Sequence, residues 1–295
     1  MNSTRSVTEI VPTHIVREGG GFKVRRPYRM GRLLSPFLLI DEMGPVDYGP
    51  GEALGAPWHP HRGFETVTYL LDGRMRHEDS AGNSGELNPG DVQWMTAGRG
   101  IIHCEEPHEE FLKTGGRTHG FQIWVNLPSS HKMMEPRYQE VPSTESPVVE
   151  KDGVWARVIA GECMGTTSSI DTKIPITLIH VKMKPESRLV QKLQEDLNGM
   201  IYVFGGGINL ENETRVKKSP IAFGIGAKQG IQDGELALLS EGEEIVIESQ
   251  EGAEFLIFAG PELNEPIERY GPFVMNTKEE IHQAFLDYQN GTLTT

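Results

Sequence analysis

The sequence carries only two cysteines, Cys104 and Cys163, in 295 residues. Two thiols without a CxxC spacing exclude a disulfide framework and a thiolate-held structural zinc, and they fit a reducing compartment. Positive charge is also short: 28 Lys and Arg against 42 Asp and Glu leave a formal net charge of -14. That balance repels phosphate backbones and anionic lipid, so neither direct nucleic-acid binding nor membrane binding is expected. Long apolar runs are missing as well. No stretch approaches the roughly 18 residues of a membrane span, and the opening MNSTRSVTEIVPTHIV has no apolar signal core. The expected location is therefore cytoplasmic, with the nucleus open to it in a eukaryotic cell. The last absence is helical periodicity. No helix of the usual roughly 10–15 residues separates the strand-like stretches, which excludes the βαβ repeat of a parallel sheet.

What is present reads as an all-β chain. ETVTYLLDGRMRHE, GFQIWVNL, TLIHVKMK, GMIYVFGGGI and AEFLIFAG are short, rich in β-branched or aromatic residues, and closed by Gly, Pro, Asn or Asp. The length is about twice that of a common domain and allows two cores. The polar segment EPRYQEVPSTESPVVEK, with prolines at 136, 142 and 147, reads as a linker, so the expected domains are 1–135 and 151–295 joined by 136–150. The two sides share a strand-turn-strand outline, HPHRGFETVTYLLDGRMRH beside QKLQEDLNGMIYVFGGGIN, as two copies of one β unit would. A short helix is expected only near the C-terminus. Asn276 or Thr277 can cap it, Glu279 or Glu280 follows three residues on, Ile281, Phe285 and Tyr288 form its apolar stripe, and it should stop before Gly291.

Seven of the ten histidines fall between residues 59 and 131, and that window is where chemistry is sought. His59 and His61 are two residues apart, and on a strand positions i and i+2 project from the same face. His103 and Glu105 repeat this spacing about forty residues later. Either pair alone is more often a surface or satisfied core pair. Together, on two strands facing one interior, they offer three nitrogens and one carboxylate oxygen to a common centre. Imidazole with carboxylate suits a first-row divalent metal, iron first, with manganese, nickel, copper or zinc as alternatives. Cys104 has the opposite parity and is expected to pack in the core.

The blocks GAPWHPHRGFETVTYLLDG (55–73) and GELNPGDVQWMTAGRGIIHCE (85–105) resemble the two conserved motifs of cupins, and more narrowly those of the pirin family. SPFLLIDE (35–42), QIWVNLPSSHKMMEPRYQE (122–140), VIAGECMG (158–165) and GPFVMNTKEEIHQAFLDYQNG (271–291) are pirin-like too. The resemblance implies two cupin-type β-barrels in tandem, a bicupin. It also implies one metal, Fe(II), in the N-terminal barrel, held by His59, His61, His103 and Glu105. A general cupin takes its carboxylate from the first block, where Glu65 stands. Glu65 is instead expected to support the ligands by hydrogen bonding, with a partnership to Arg62 or Arg99 as the plainer role. In the second half the corresponding position reads Gln191-Lys192-Leu193, so that barrel is expected to be metal-free.

Phe64, Trp94 and His119 are further candidates for the walls of a pocket beside the metal, as a flat aromatic substrate would need. Two functions follow from the resemblance. The first is a metal-dependent quercetin 2,3-dioxygenase acting on a flavonol-like substrate and O2, with Glu105 as the base. The second is a redox-sensitive regulator that binds a protein partner, a transcription factor or a metabolic enzyme, without catalysis.

Overall fold

The computed structural model describes residues 3–28, 34–211, 217–218 and 230–295, and its regular structure is nearly all strand. The chain makes two compact units, and neither is continuous in sequence. One gathers Ile15–Arg26, Pro36–Glu145 and Leu263–Thr295, and the other gathers Met1–His14, Pro27–Ser35 and Ser146–Glu262. Each is built as a cupin barrel. The division between Glu145 and Ser146 falls inside the expected linker 136–150, and the terminal segments Met1–His14 and Leu263–Thr295 each group with the unit that holds the other half of the sequence.

The segment 136–150 is also not a slack tether. Arg137–Val141 pairs antiparallel with Val92–Thr96, and Val148–Lys151 pairs with Val154–Ala160. Its three prolines flank these strands, at 136, 142 and 147, where a missing N–H removes no ladder bond.

In the histidine-bearing unit one antiparallel sheet runs Phe37–Tyr48, Gly116–Asn126, Phe64–Asp72, Val92–Thr96, Arg137–Val141. A second runs Ala56–His61, Ile101–Pro107, Met75–Asp79, Ser84–Leu87. Register decides what each face of the first sheet presents, since directly opposed residues share a face. Thr68 lies between Gln93 and Gln122, whereas Val67 lies between Trp94 and Ile123. Phe64, Thr66, Thr68, Gln122 and Trp124 therefore share one face, and Glu65, Val67, Trp94, Phe121 and Ile123 share the other.

The second unit orders Val154–Ala160, Thr177–Met183, Ala253–Pro261, Leu197–Leu210 and Glu235–Leu239 in one antiparallel sheet. Residues Val7 to Pro12 add to its edge. Its core is a continuous cluster that includes Val158, Ile179, Ile201, Ile247 and Phe255. His180 lies buried in this unit with Nε2 3.0 Å from Glu254 Oε1. Burial pulls His180 down to about 4, although Glu254 acts in the opposite sense. Burial would raise Glu254, but hydrogen bonds from His180 and Lys182 hold it at about 2.

The native state therefore resists protonating His180 where the unfolded chain accepts the proton. The stabilisation is whole above pH 6.5 and is lost as the pH falls towards 4. In denaturant titrations His180 is expected to contribute a loss of up to about 2 kcal/mol between pH 7.5 and pH 5. His180→Gln should flatten that part of the pH profile, and an unchanged slope would refute the assignment.

The terminal helix, Lys278–Gln289, starts as its sequence predicts: Thr277 accepts from the Glu280 N–H, and the Glu280 carboxylate accepts from the Thr277 N–H. Its buried side is Ile281 and Ala284. Tyr288, expected in the stripe, is 41% exposed, because the docked side centres on Ala284. A second helix, Glu109–Thr114, was not anticipated. His108 caps its N-terminus, and six residues are too few to give a helical period.

Candidate metal centre

His59 and His61 come from strand Ala56–His61 and His103 from its neighbour Ile101–Pro107, with His59 directly opposite His103. One ring nitrogen from each lies within 4.8 Å of the others, the one such group of three among the described residues.

Hydrogen bonding fixes the proton positions. His59 Nδ1 is 2.7 Å from the Pro57 carbonyl oxygen, and His61 Nδ1 is 3.2 Å from that of Pro272. A carbonyl only accepts, so both rings carry their proton on Nδ1 and a lone pair on Nε2. These two Nε2 atoms are 3.0 Å apart. Lone pairs at that distance repel, and a cation between them removes the repulsion. Two nitrogens each roughly 2.1 Å from one ion, at a right angle, would stand about 3.0 Å apart.

His103 completes the set. Its Nε2 is buried and makes no hydrogen bond. Its Nδ1 is 3.5 Å from His77 Nδ1, and His77 Nε2 is 3.5 Å from Asp79 Oδ2. His77 Nε2 makes no hydrogen bond of its own, and His103 Nδ1–H donating to His77 Nδ1 leaves a lone pair on His103 Nε2. Burial, reinforced by His59, holds His61 well below its ordinary pKa, and burial with His61, His59 and His77 does the same to His103. Rings with converging lone pairs could hold a metal ion. The residues present fit a first-row divalent ion.

Glu105 stands outside the group of three but beside it. Its Oε1 is 2.6 Å from the Thr68 hydroxyl and its Oε2 is 3.3 Å from Gln122 Nε2. The same hydroxyl lies 2.7 Å from Gln122 Oε1, and its single proton serves one acceptor at a time. Glu105, Thr68, Gln122, His59 and His61 all line a cavity of about 690 Å³. Phe22, Val24, Leu39, Met43 and Trp124 supply apolar wall, and Trp58, Arg269 and Tyr270 also line it.

Among the pocket candidates, Phe64 is fully buried behind the site, its ring 5.0 Å from that of His61 and 4.3 Å from that of Trp124. Glu65, Trp94 and His119 do not line the cavity. Glu65 accepts from the Thr96 hydroxyl at 2.6 Å, and neither Arg62 nor Arg99 is bonded to it. Arg62 reaches Asp287, and Arg99 reaches Glu135. Glu65 has the same parity as His61 in sequence, but Gly63 at φ 89° separates two strands of different sheets and resets the phase. Trp94 sits on the core face with Val67. His119 precedes a register shift in its strand, so the parity of Gln122 and Trp124 does not carry to it, and its Nε2 lies 2.9 Å from Glu42 Oε1. Cys104 is buried as its parity requires.

Sequence reasoning missed Thr68, Gln122, His77, Asp79 and the Pro272 carbonyl. Thr68 and Gln122 were accessible through parity with Phe64 and Trp124. His77 is buried against His103. Nothing local could place Pro272, 211 residues beyond His61.

The family model described as Pirin matches residues 21–125, and that for the Pirin C-terminal cupin domain matches 178–294. The chain is 42% identical to human Pirin over 295 residues, covering 98% of this chain and 94% of the relative. A pirin-like protein of Solanum lycopersicum is 40% identical over 291 residues, 97% of this chain and 92% of its own. Among solved structures, a quercetin 2,3-dioxygenase from Acinetobacter baumannii superposes with a TM-score of 0.89 at 35% identity, covering 99% of each chain.

Proposed function

The chain belongs to the pirin family, and from that premise we propose that its histidine-bearing barrel is a metal-dependent dioxygenase of the quercetin 2,3-dioxygenase type. The observation that carries this reading is the convergence of unprotonated Nε2 atoms at an aromatic-walled cavity whose volume, about 690 Å³, is that of a small-molecule site. His59, His61 and His103 hold one divalent transition metal, iron(II) before manganese, nickel, copper or zinc. Glu105, held beside them by Thr68 and Gln122, would complete the set.

When bound, the metal supplies Lewis acidity towards a phenolic hydroxyl and a route for electrons between substrate and O2. The flavonol rings lie along Trp124, Phe22 and Leu39, which exclude water from the reacting carbons. Glu105 takes the 3-hydroxyl proton, and Thr68 and Gln122, which bond to it from the other sheet, steady the carboxyl group that results. Both oxygen atoms of O2 enter the cleaved product, and one ring carbon leaves as carbon monoxide.

Purified protein is expected to contain about one metal per chain by elemental analysis and to consume quercetin aerobically with carbon monoxide release. Chelation should abolish turnover, and iron(II) should restore it. Undiminished turnover by metal-free protein would overturn the reading.

A second reading, a redox-sensitive regulator, is favoured by one observation. Trp58 and Tyr270, which line the cavity, are 52% and 69% exposed, and large exposed aromatics are characteristic of protein-binding surfaces. The net charge of -14 then suits a basic protein partner. A partner affinity that differs between the ferrous and ferric forms, with flavonols untouched, would select it.

A further inference from the structure

The segment Pro272–Leu293 meets both of the turns that carry the candidate ligands. The first turn, Arg62-Gly63, follows His61. Arg62 carbonyl accepts from the Val274 N–H at 3.1 Å, and Phe273 makes a parallel bridge to Arg62. The Arg62 guanidinium donates to Asp287 Oδ2 at 2.7 Å and to the Leu293 carbonyl at 3.5 Å, and its Nε donates to the Arg99 carbonyl. Lys132 ties the same place together: its buried Nζ donates to the carbonyls of Gly63 at 2.8 Å and Val274 at 3.1 Å, and to Asn126 Oδ1 at 2.6 Å.

The second turn, Gly98-Arg99-Gly100, leads into the strand of His103. Gly100 packs so closely on the Leu293 carbonyl that a Cβ would collide with it. Ile102, next to His103, packs on the cluster of Phe273, Met275, Ile281, Ala284 and Leu293. Between these anchors the Pro272 carbonyl holds the Nδ1 proton of His61.

We infer that Pro272–Leu293 is a positioning element of the metal centre: it sets the tautomer of His61 through the Pro272 carbonyl and locks the two ligand-bearing turns at the spacing the metal requires. This rests on the metal-site reading above. It also assigns a role to residues far beyond the ligand motifs, which all fall within the first 105 positions. A lost carbonyl partner frees a ligating imidazole to rotate or change tautomer, and loss of such an outer partner typically weakens metal binding roughly 10–100-fold.

The test uses the full chain loaded with cobalt(II), whose visible absorption reports its own release into excess EDTA. Ile281→Asp places a charge in the docked side of the helix and should undock it, and Ile281→Leu is the conservative control. Asp287→Asn removes the Arg62 ion pair alone and carries the test should Ile281→Asp not fold. Cobalt release is expected to be roughly 10–100-fold faster in Ile281→Asp, faster to a lesser degree in Asp287→Asn, and unchanged in Ile281→Leu. In the metal-free protein the His61 ring ¹⁵N signals should lose their Nδ1–H pattern in Ile281→Asp, while amide exchange in Phe64–Asp72 and Gly116–Asn126 stays at the parent level. A purely structural role would move amide exchange and leave the tautomer alone. Parent release rates and an intact His61 pattern, with the segment shown undocked by limited proteolysis, would overturn the inference. Failure of the unmodified chain to take up cobalt would instead defeat the metal-site reading, and this inference with it.

Discussion

His61→Ala is expected to leave a folded protein that binds no divalent metal at concentrations saturating the parent and that shows no flavonol turnover. His61 supplies one of the two Nε2 lone pairs that face each other at 3.0 Å, so its loss removes a ligand and the pair geometry together. The fall in affinity should exceed about a hundredfold, the upper end for loss of a mere supporting contact. Two measurements separate this from general damage. A metal at about a hundred times its Kd adds about 2.7 kcal/mol to the stability of the parent, and that increment should vanish in the variant. The metal-free variant should also unfold at a temperature closer to the metal-free parent than a buried truncation ordinarily allows, because removing one ring ends the lone-pair repulsion. His119→Ala, away from the cavity and paired to Glu42, should keep its metal. Parent-like metal content in His61→Ala would remove the site from consideration.

Gly63→Ala is the second large effect. Gly63 sits at φ 89°, and a Cβ on it would run into the Val274 carbonyl oxygen. The left-handed backbone alone costs a side-chain-bearing residue roughly 1–2 kcal/mol. The collision adds roughly 1–3 kcal/mol as the packed turn and the C-terminal segment move apart. Gly82 provides the comparison: its φ is 87°, and a Cβ there meets nothing within 4 Å. Denaturant unfolding should therefore show Gly63→Ala losing more than Gly82→Ala by about the packing contribution. Metal affinity should fall only in Gly63→Ala, because that turn directly follows His61. Equal losses at the two positions would show that the contact with Val274 carries no weight.

The sequence revealed what period two and turn chemistry could encode. His59, Pro60 and His61 disclose a shared face without any tertiary knowledge, and so do His103 and Glu105. The capping pair Thr277 and Glu280 was legible for the same reason, being local. Legibility ended wherever phase was interrupted. Carrying parity through Gly63 placed Glu65 beside the ligands, whereas the glycine turn moves the chain to another sheet and Thr68 takes the position beside Glu105. Trp94 and His119 failed similarly, since being aromatic or being a histidine says nothing about which face a strand presents. The file of His77 and Asp79 behind His103 depends on cross-strand register, Glu105 opposite His77 and His103 opposite Asp79. Register is set by long-range pairing, so a single strand read alone does not contain it. Polarity and proline in 136–150 describe strand edges as well as the boundary between units, and the segment carries both.

Neither unit is assembled from a single stretch of sequence. All of the candidate ligands lie within the first 105 positions, but the carbonyl that holds His61 in its tautomer is that of Pro272. The other barrel likewise takes an edge strand from Val7–Pro12, which pair with Glu235–Leu239 more than two hundred residues on. No single cut therefore yields two intact halves. A fragment ending at residue 145 would contain every candidate ligand and still lack the backbone that steadies them.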